Sequence, residues 1–389
     1  MKIIGAVLEN CDSQRPFAQS RPISVAELEL DAPGPSQLLV RIEAAGVCHS
    51  DLSVVDGNRV RPTPMLLGHE AAGIIEELGE GVTGYSLGDR VVLTFLPRCG
   101  ECSGCASGGK LPCVPGTASN NGGTLFDGSV KLARDGEPVS HHLGVSGFAS
   151  HTVVDVRSVV RVDHDVPAEI AALLGCAVLT GGGAILNEGK LAAGDATVVV
   201  GLGGVGMAAL ITAVALGNGP VYGVDLSPEK QALARELGAA GAYAPDEAIE
   251  LGLTAICVIE AAGHPKALET AIALTAAGGR TITVGLPHPD ARVSVSPLGL
   301  VADARTISGC YLGSAIPERD IPIFADLWRS GRLPLERLVS SYVGLAELNS
   351  AMDLLAEGKA LRQIIRFPTG SQAAAAHAES NPMQNGVSA

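Results

Sequence analysis

Four cysteines crowd one glycine-rich stretch, CGECSGCASGGKLPC, where Cys99, Cys102, Cys105 and Cys113 follow a C-x2-C-x2-C-x7-C spacing. Short loops of this kind let four thiolates converge at about 2.3 Å on a tetrahedral Zn²⁺, which ties down a lobe with few apolar residues of its own. Disulfides are the plain alternative, and an iron–sulfur cluster is another. The ferredoxin run, however, places its fourth cysteine after three residues and follows it with proline, whereas here the gap is seven and Val114 follows. A second set is dispersed: Cys48 in GVCHSD, His69 and Glu70 in GHE, and Cys176 in GCAVLTGGGA. Taken singly, each reads as a small buried hydrophobe or a hydrogen-bonded polar residue. Together, at element ends facing a domain junction, Cys48, His69 and Cys176 supply two thiolates and an imidazole and leave a fourth position open, as a catalytic zinc requires. Asp51, three residues after Cys48, is placed to accept from the far ring nitrogen of His69 and fix the metal-binding tautomer.

The third signal is GLGGVG, residues 201–206, directly after ATVVV and before an apolar helical run. In that context Gly201 makes the turn, Gly203 lets a pyrophosphate approach backbone amides at the helix N-terminus, and Gly206 lets helix and strand pack closely. Asp225 ends the following strand, where a carboxylate accepts from the adenosine ribose hydroxyls; a simple strand-end cap is its other reading. A ribose-binding carboxylate favours NAD over NADP, because a 2′-phosphate would meet a negative charge, and Leu226 and Ser227 bring no cation to offset it.

The elements that must position these residues divide the chain. The first 160 or so residues read as short strands closed by turns, among them LLVRIEAAGV, AAGIIEELGEGV and GDRVVLTFLP, an irregular β domain. From Val178 strands alternate with helices (ATVVV, VYGVD, AICVIEAAG, RTITVGLP), which predicts a parallel sheet of Rossmann type. After Cys310 come helices around Ile321–Ser330 and Leu345–Glu357 and a last strand, LRQIIRF, assigned as a return to the first domain. The boundaries drawn are 1–177, 178–311 and 312–368, with residues 369–389 expected to be a mobile tail.

Composition narrows the partners. With 41 acidic against 27 basic residues the formal charge is −14, which repels a phosphate backbone, and the 6 Phe, 5 Tyr and 1 Trp are too few for base stacking. Nucleic acid is therefore excluded as an expected partner. Two uncharged runs, Ile170–Asn187 and Ala196–Val224, approach the length of a membrane span, but glycines break both, and they read as buried strand, turn and helix. No signal peptide is visible, and nine cysteines, six of them in metal-type spacings, fit a reducing cytoplasm.

In these motifs, taken in order over residues 1–368, the chain resembles the zinc-dependent alcohol dehydrogenases of the medium-chain dehydrogenase/reductase family. The resemblance implies an α/β fold in which a GroES-like catalytic domain holds two zincs, one catalytic and one structural, beside a Rossmann domain for NAD. It implies Cys48, His69 and Cys176 as catalytic ligands, with Glu70 behind the metal and Ser50 relaying the proton of the substrate alcohol. Cofactor contacts implied are Gly201, Gly203, Gly204, Val205 and Gly206, with Asp225 and its companion Lys230, Val284 and Leu286, and the pyrophosphate-side residues Arg362 and His49. Three residues after Ser50, where many relatives carry a proton-accepting histidine, this chain has Ser53. A homodimer built on Rossmann edge strands, or a tetramer, is also implied.

For the substrate the resemblance places Ser50, Phe95, Ala118, His142, Leu143 and Leu286 around the pocket. Ser50 and Ala118 are small, and Phe95, Leu143 and Leu286 are expected to keep the walls apolar, which favours medium-chain or aromatic alcohols over ethanol by burial at roughly 25 cal/mol per Å²; His142 is the exception, either a polar wall that binds a hydroxyl or a hydrogen-bonded loop residue. A thiol-dependent formaldehyde dehydrogenase would need cations near the pocket, and VPGTASNNGGTLF after Cys113 contains none. A non-catalytic NAD- or zinc-binding protein would have no reason to keep an open metal site.

Overall fold

The computed structural model describes residues 1–368; the tail expected to be mobile, 369–389, lies outside the described residues. Among them are three sheets, two in the catalytic part and one in the cofactor part. Both catalytic sheets are built mainly from antiparallel pairs. The centre of the larger is Gln37–Val47, whose largely apolar residues are buried between Ala71–Leu78 on one side and His151–Asp155 with Arg362–Arg366 on the other. LRQIIRF thus returns to the first domain, pairing Gln363 with Val47 and Arg366 with Ala44. A strand the sequence reading missed, Val339–Val343, runs parallel to it and extends the sheet.

The cofactor sheet is wholly parallel. Its order is Gly241–Tyr243, Val221–Val224, Thr197–Val200, Ala255–Glu260, Thr275–Thr283, Thr306–Gly309, the doubly wound arrangement with its switch point between the first and fourth strands. The four apolar strands expected from the sequence are present; the two outermost are short, and Gly, Thr and Ser gave them no apolar run.

The second uncharged run, Ala196–Val224, resolves into strand Thr197–Val200, the glycine turn, helix Gly204–Leu216 and strand Val221–Val224. The first is helix Ala168–Glu188, long and apolar enough to cross a membrane by composition but with 83% of its most apolar window buried inside the fold. It lies flush on Gly204–Leu216, because a Cβ at Gly181 would overlap the Val205 carbonyl oxygen. The divide drawn between residues 177 and 178 therefore runs through one helix rather than a loop, because the periodicity of an all-apolar helix marks no boundary.

Candidate functional site

Cys48 ends the central strand and caps helix His49–Val55, with Asp51 completing a capping box: its Oδ2 accepts from the Cys48 amide at 3.0 Å. The other oxygen, Oδ1, accepts from His69 Nδ1 at 2.9 Å and lies 3.2 Å from His142 Nδ1. One fully buried carboxylate thus fixes a thiol-bearing backbone and the His69 imidazole, with His142 close by but without a hydrogen-bond partner on either ring nitrogen. His69 follows Gly68, whose φ of +95° turns the chain sharply against Phe148. With Nδ1 given to Asp51, Nε2 faces inward, 3.4 Å from Cys176 Sγ. Cys176 sits in a π-helical turn, Leu174–Val178, of the long helix, where one extra residue re-aims the side chain.

The Sγ atoms of Cys48 and Cys176 are 4.0 Å apart. Two sulfurs bonded tetrahedrally at about 2.3 Å would be about 3.8 Å apart. Cys48, His69, Glu70 and Cys176 all place a donor within 4.8 Å of one another, and all four are buried. Hydrogen bonding from Cys176 drives the Cys48 thiol well down, and that same contact, with burial, drives Cys176 well up. Burial alone would pull His69 down, but the Asp51 carboxylate outweighs it and holds the imidazole well above its ordinary value. Both Glu70 oxygens are buried without a hydrogen-bond partner, and burial, opposed by Arg362, raises its carboxyl to about 7. Orphaned acceptors beside two thiols and an inward imidazole nitrogen fit a divalent cation.

Arg362 joins this centre to the cofactor side. It is 1% exposed, with Nε 3.7 Å from Glu70 Oε1 and with Nε and Nη2 unpartnered. A Cβ on Gly204 would come within 2.8 Å of its Cζ, so the glycine makes room for the guanidinium beside the turn. Gly201 has φ +89°, and Gly206 packs so tightly that a Cβ there would overlap the Gly201 carbonyl. At Gly203 nothing lies within 4 Å of where a Cβ would stand, so the turn faces open space at the helix start. Asp225 accepts from Leu202 N at 2.7 Å and Ser227 N at 2.9 Å: it is a strand-end cap that also lines the cleft.

A cleft of ≈ 470 Å³ brings nearly all the expected residues together: Cys48, His49, Ser50, Phe95, His142, Leu143 and Cys176 with Gly201, Gly203, Gly204, Val205, Asp225, Lys230, Val284, Leu286 and Arg362. His69, Glu70 and Asp51 lie behind its wall, and Gly206 serves packing alone. Ala118 is a correction. It sits exposed on helix Val114–Gly122, whose buried residues are Gly116 and Asn120, so it does not line the cleft. The apolar-wall expectation is corrected as well: Leu286 is 48% exposed at the rim, and Arg59, Arg61 and Tyr311 share the lining. The sequence reading missed these three, and also Thr180 and Glu260. Glu260 accepts from the amides of Ala262 (2.8 Å) and Gly263 (2.7 Å) and so shapes a cleft loop. The only advance signal for the arginines was the basic pair in NRVRPTP between two ligand motifs.

Away from the cleft, Cys99, Cys102, Cys105 and Cys113 gather with Sγ separations of 3.8 Å (Cys99–Cys105) and 4.0 Å (Cys102–Cys113), again the edge of a four-sulfur tetrahedron. Backbone amides point at these sulfurs, and Arg98 braces the loop through the carbonyls of Gly104 and Cys105.

Residues 34–164 match the alcohol dehydrogenase GroES-like domain, and residues 204–328 match the zinc-binding dehydrogenase family. The chain is 36% identical over 375 residues to a Mycobacterium tuberculosis (strain H37Rv) protein named "Putative alcohol dehydrogenase D", covering 94% of this chain and 100% of that one. In structure it is similar to an alcohol dehydrogenase zinc-binding domain protein from Burkholderia ambifaria (32% identity, TM-score 0.86, 95% of this chain and 100% of that). It is equally similar to benzyl alcohol dehydrogenase from Acinetobacter calcoaceticus (29% identity, TM-score 0.86, the same coverage). The chain belongs to the zinc-dependent alcohol dehydrogenases of the medium-chain dehydrogenase/reductase family.

Proposed function

We propose that the protein is a zinc- and NAD-dependent alcohol dehydrogenase that interconverts alcohols with aldehydes or ketones, favouring medium-chain or aromatic alcohols. What carries the reading is that the Cys48–His69–Cys176 donor set and the open face of the Gly201–Gly206 turn meet in one cleft. Zinc, when bound, supplies a Lewis acid that acidifies a substrate hydroxyl, and NAD supplies the hydride acceptor. Cys48 and Cys176 as thiolates neutralise a dication, and Asp51 keeps the proton of His69 on Nδ1. The Ser50 hydroxyl would relay the substrate's proton at the cleft, passing its own proton on toward solvent as it accepts. Ser53, where a histidine is common among relatives, donates its own hydroxyl to the His49 carbonyl at 2.7 Å and offers no onward base. Phe95, edge-on to His69 with ring centroids 5.3 Å apart, gives an aromatic or long-chain alcohol a wall. Arg362, His49 and Lys230 face the cofactor phosphates and ribose, and Asp225 disfavours NADP. A second, structural zinc is held by the Cys99–Cys113 lobe. A homodimer in a reducing cytoplasm completes the reading, supported by family and by free thiols.

The test is NADH formation across primary, secondary and aromatic alcohols, with formaldehyde plus thiols as a separate arm, and the same panel with NADP. Turnover with NADP in preference to NAD, or no turnover of any alcohol by zinc-loaded enzyme, refutes it. Asp225→Ser should raise the KM for NAD and narrow the gap to NADP.

A further inference from the structure

The loop of residues 56–62, leaving the first ligand helix, turns two cations toward the cleft. Arg59 and Arg61 line it together with Phe95, His142 and Tyr311. These aromatic residues adjoin the ligand set: Phe95 stands edge-on to the ligand His69 at 5.3 Å and to Tyr311 at 6.3 Å. Both arginines lie within electrostatic reach of Tyr311, and Arg61 within reach of His142. They are also within reach of one another, a like-charge juxtaposition that adds to the burial pulling Arg61 down. Among the described residues neither forms a salt bridge, in a chain with 41 acidic residues. Arg61 donates through Nη1 to Asn121, yet its Nε is buried with no partner. The acid on the same loop does not answer them: Asp56 spends its oxygens on Asn58 N at 3.0 Å and Asn58 Nδ2 at 2.8 Å. Two half-buried arginines lining one concave site, with no salt bridge to either and on Arg61 a donor left unused, are complementary to a carboxylate.

We propose that Arg59 and Arg61 form a carboxylate-binding subsite at the outer end of the substrate cleft, so that the alcohols this enzyme takes best carry a carboxylate distal to the reacting hydroxyl. This rests on the dehydrogenase reading above and narrows its substrate class. The apolar middle of the cleft, Phe95 and Leu143, then spans the distance between hydroxyl and anion, which an aromatic or medium-length skeleton fills.

The experiment compares kcat/KM within charge-differing pairs on the zinc- and NAD-loaded enzyme: 3- and 4-(hydroxymethyl)benzoate against benzyl alcohol, and 6-hydroxyhexanoate against hexanol. A further pair, formaldehyde with mercaptoacetate against formaldehyde with 2-mercaptoethanol, separates hydroxy acids from thiol adducts as the source of the carboxylate. At least one charged member should win by about tenfold, an advantage that shrinks with added salt. Arg59→Gln and Arg61→Gln should each cut that ratio by about tenfold, as loss of a charge-assisted hydrogen bond does. The ratio cancels any general loss of fold or metal. A wild-type ratio near one, a ratio unmoved in both variants, or a rise in the KM for NAD in place of a changed ratio overturns the subsite. Calorimetric binding of 4-(hydroxymethyl)benzoate, wild type against Arg61→Gln, decides the subsite independently of turnover. Absence of turnover with every alcohol would count against the dehydrogenase reading instead.

Discussion

Replacing Asp51 by Asn is the sharpest probe of how the metal site is held. The carboxylate accepts from the Cys48 amide (3.0 Å) and His69 Nδ1 (2.9 Å), and lies 3.2 Å from His142 Nδ1. An amide at the same place can keep its oxygen on the Cys48 amide, but its NH₂ then confronts the ring nitrogens. His69 must shift its proton to Nε2, the nitrogen that faces Cys176 Sγ at 3.4 Å and has to offer a lone pair to a metal. Removing such a partner typically weakens metal binding 10- to 100-fold, about 1.4–2.8 kcal/mol, within the range of one hydrogen bond to a charged group. The assay is chelator competition on zinc-loaded enzyme, with the second zinc proposed for the Cys99–Cys113 lobe as internal reference. We expect one zinc to leave at about 10- to 100-fold lower chelator and the other to leave as in wild type. Identical release curves for variant and wild type would refute the idea that Asp51 sets the tautomer; loss of both zincs together would show that it supports the fold instead.

Gly203→Ala and Gly206→Ala should fail differently: the first meets nothing within 4 Å and should raise the KM for NAD with little change in melting temperature, whereas the second collides with the Gly201 carbonyl and should destabilise the fold. Equal melting temperatures would contradict this. Cys48→Ala should abolish turnover with the fold retained, while Cys102→Ala should mainly lower thermal stability, as checked by activity and circular dichroism side by side. His141 gives a pH signature. It is fully buried, accepts from Lys131 N at 3.1 Å, and burial lowers it to about 3. Its folded pKa lies below the unfolded value of about 6.5, so the stability it contributes is complete above that pH and is lost on acidification toward 3. This is at most on the order of 5 kcal/mol. Urea midpoints for His141→Gln should therefore fall less steeply below pH 6.5 than those of wild type, and parallel curves would refute it.

Much of the site was legible because chemistry constrains spacing. Four cysteines in fifteen residues, a glycine turn between strand and helix, and a carboxylate at a strand end each leave local marks. What stayed hidden depended on tertiary approach. Nothing in the composition of HHLGV tells that His142 shares Asp51 with His69, since the contact joins segments far apart in the chain. Ala118 was misplaced because alignment fixes a position along a helix but not which face meets the cleft, and here the buried face belongs to Gly116 and Asn120. Arg59 and Arg61 belong to no motif and drew no reading from the sequence; what sets them apart is that, among the described residues, neither forms a salt bridge. The boundary drawn at 177 falls inside helix Ala168–Glu188, since an apolar, largely buried helix carries no mark of which half owns it.

The pairing of Arg362–Arg366 with Gln37–Val47 bears on how the protein is made. The strand at the heart of the larger sheet leaves the ribosome early, and its neighbour emerges only after the whole cofactor half has been synthesised. Until then the Ala44–Val47 end of that strand, beyond the stretch covered by His151–Asp155, stands open to any passing strand, the situation in which nascent chains associate wrongly. Glu70 meanwhile lacks the guanidinium that opposes its charge in the finished fold. Completion of the catalytic half is thus one of the last events in biosynthesis, and a chain cut short before residue 362 would lack both the buried Arg362 and the strand that completes its central sheet.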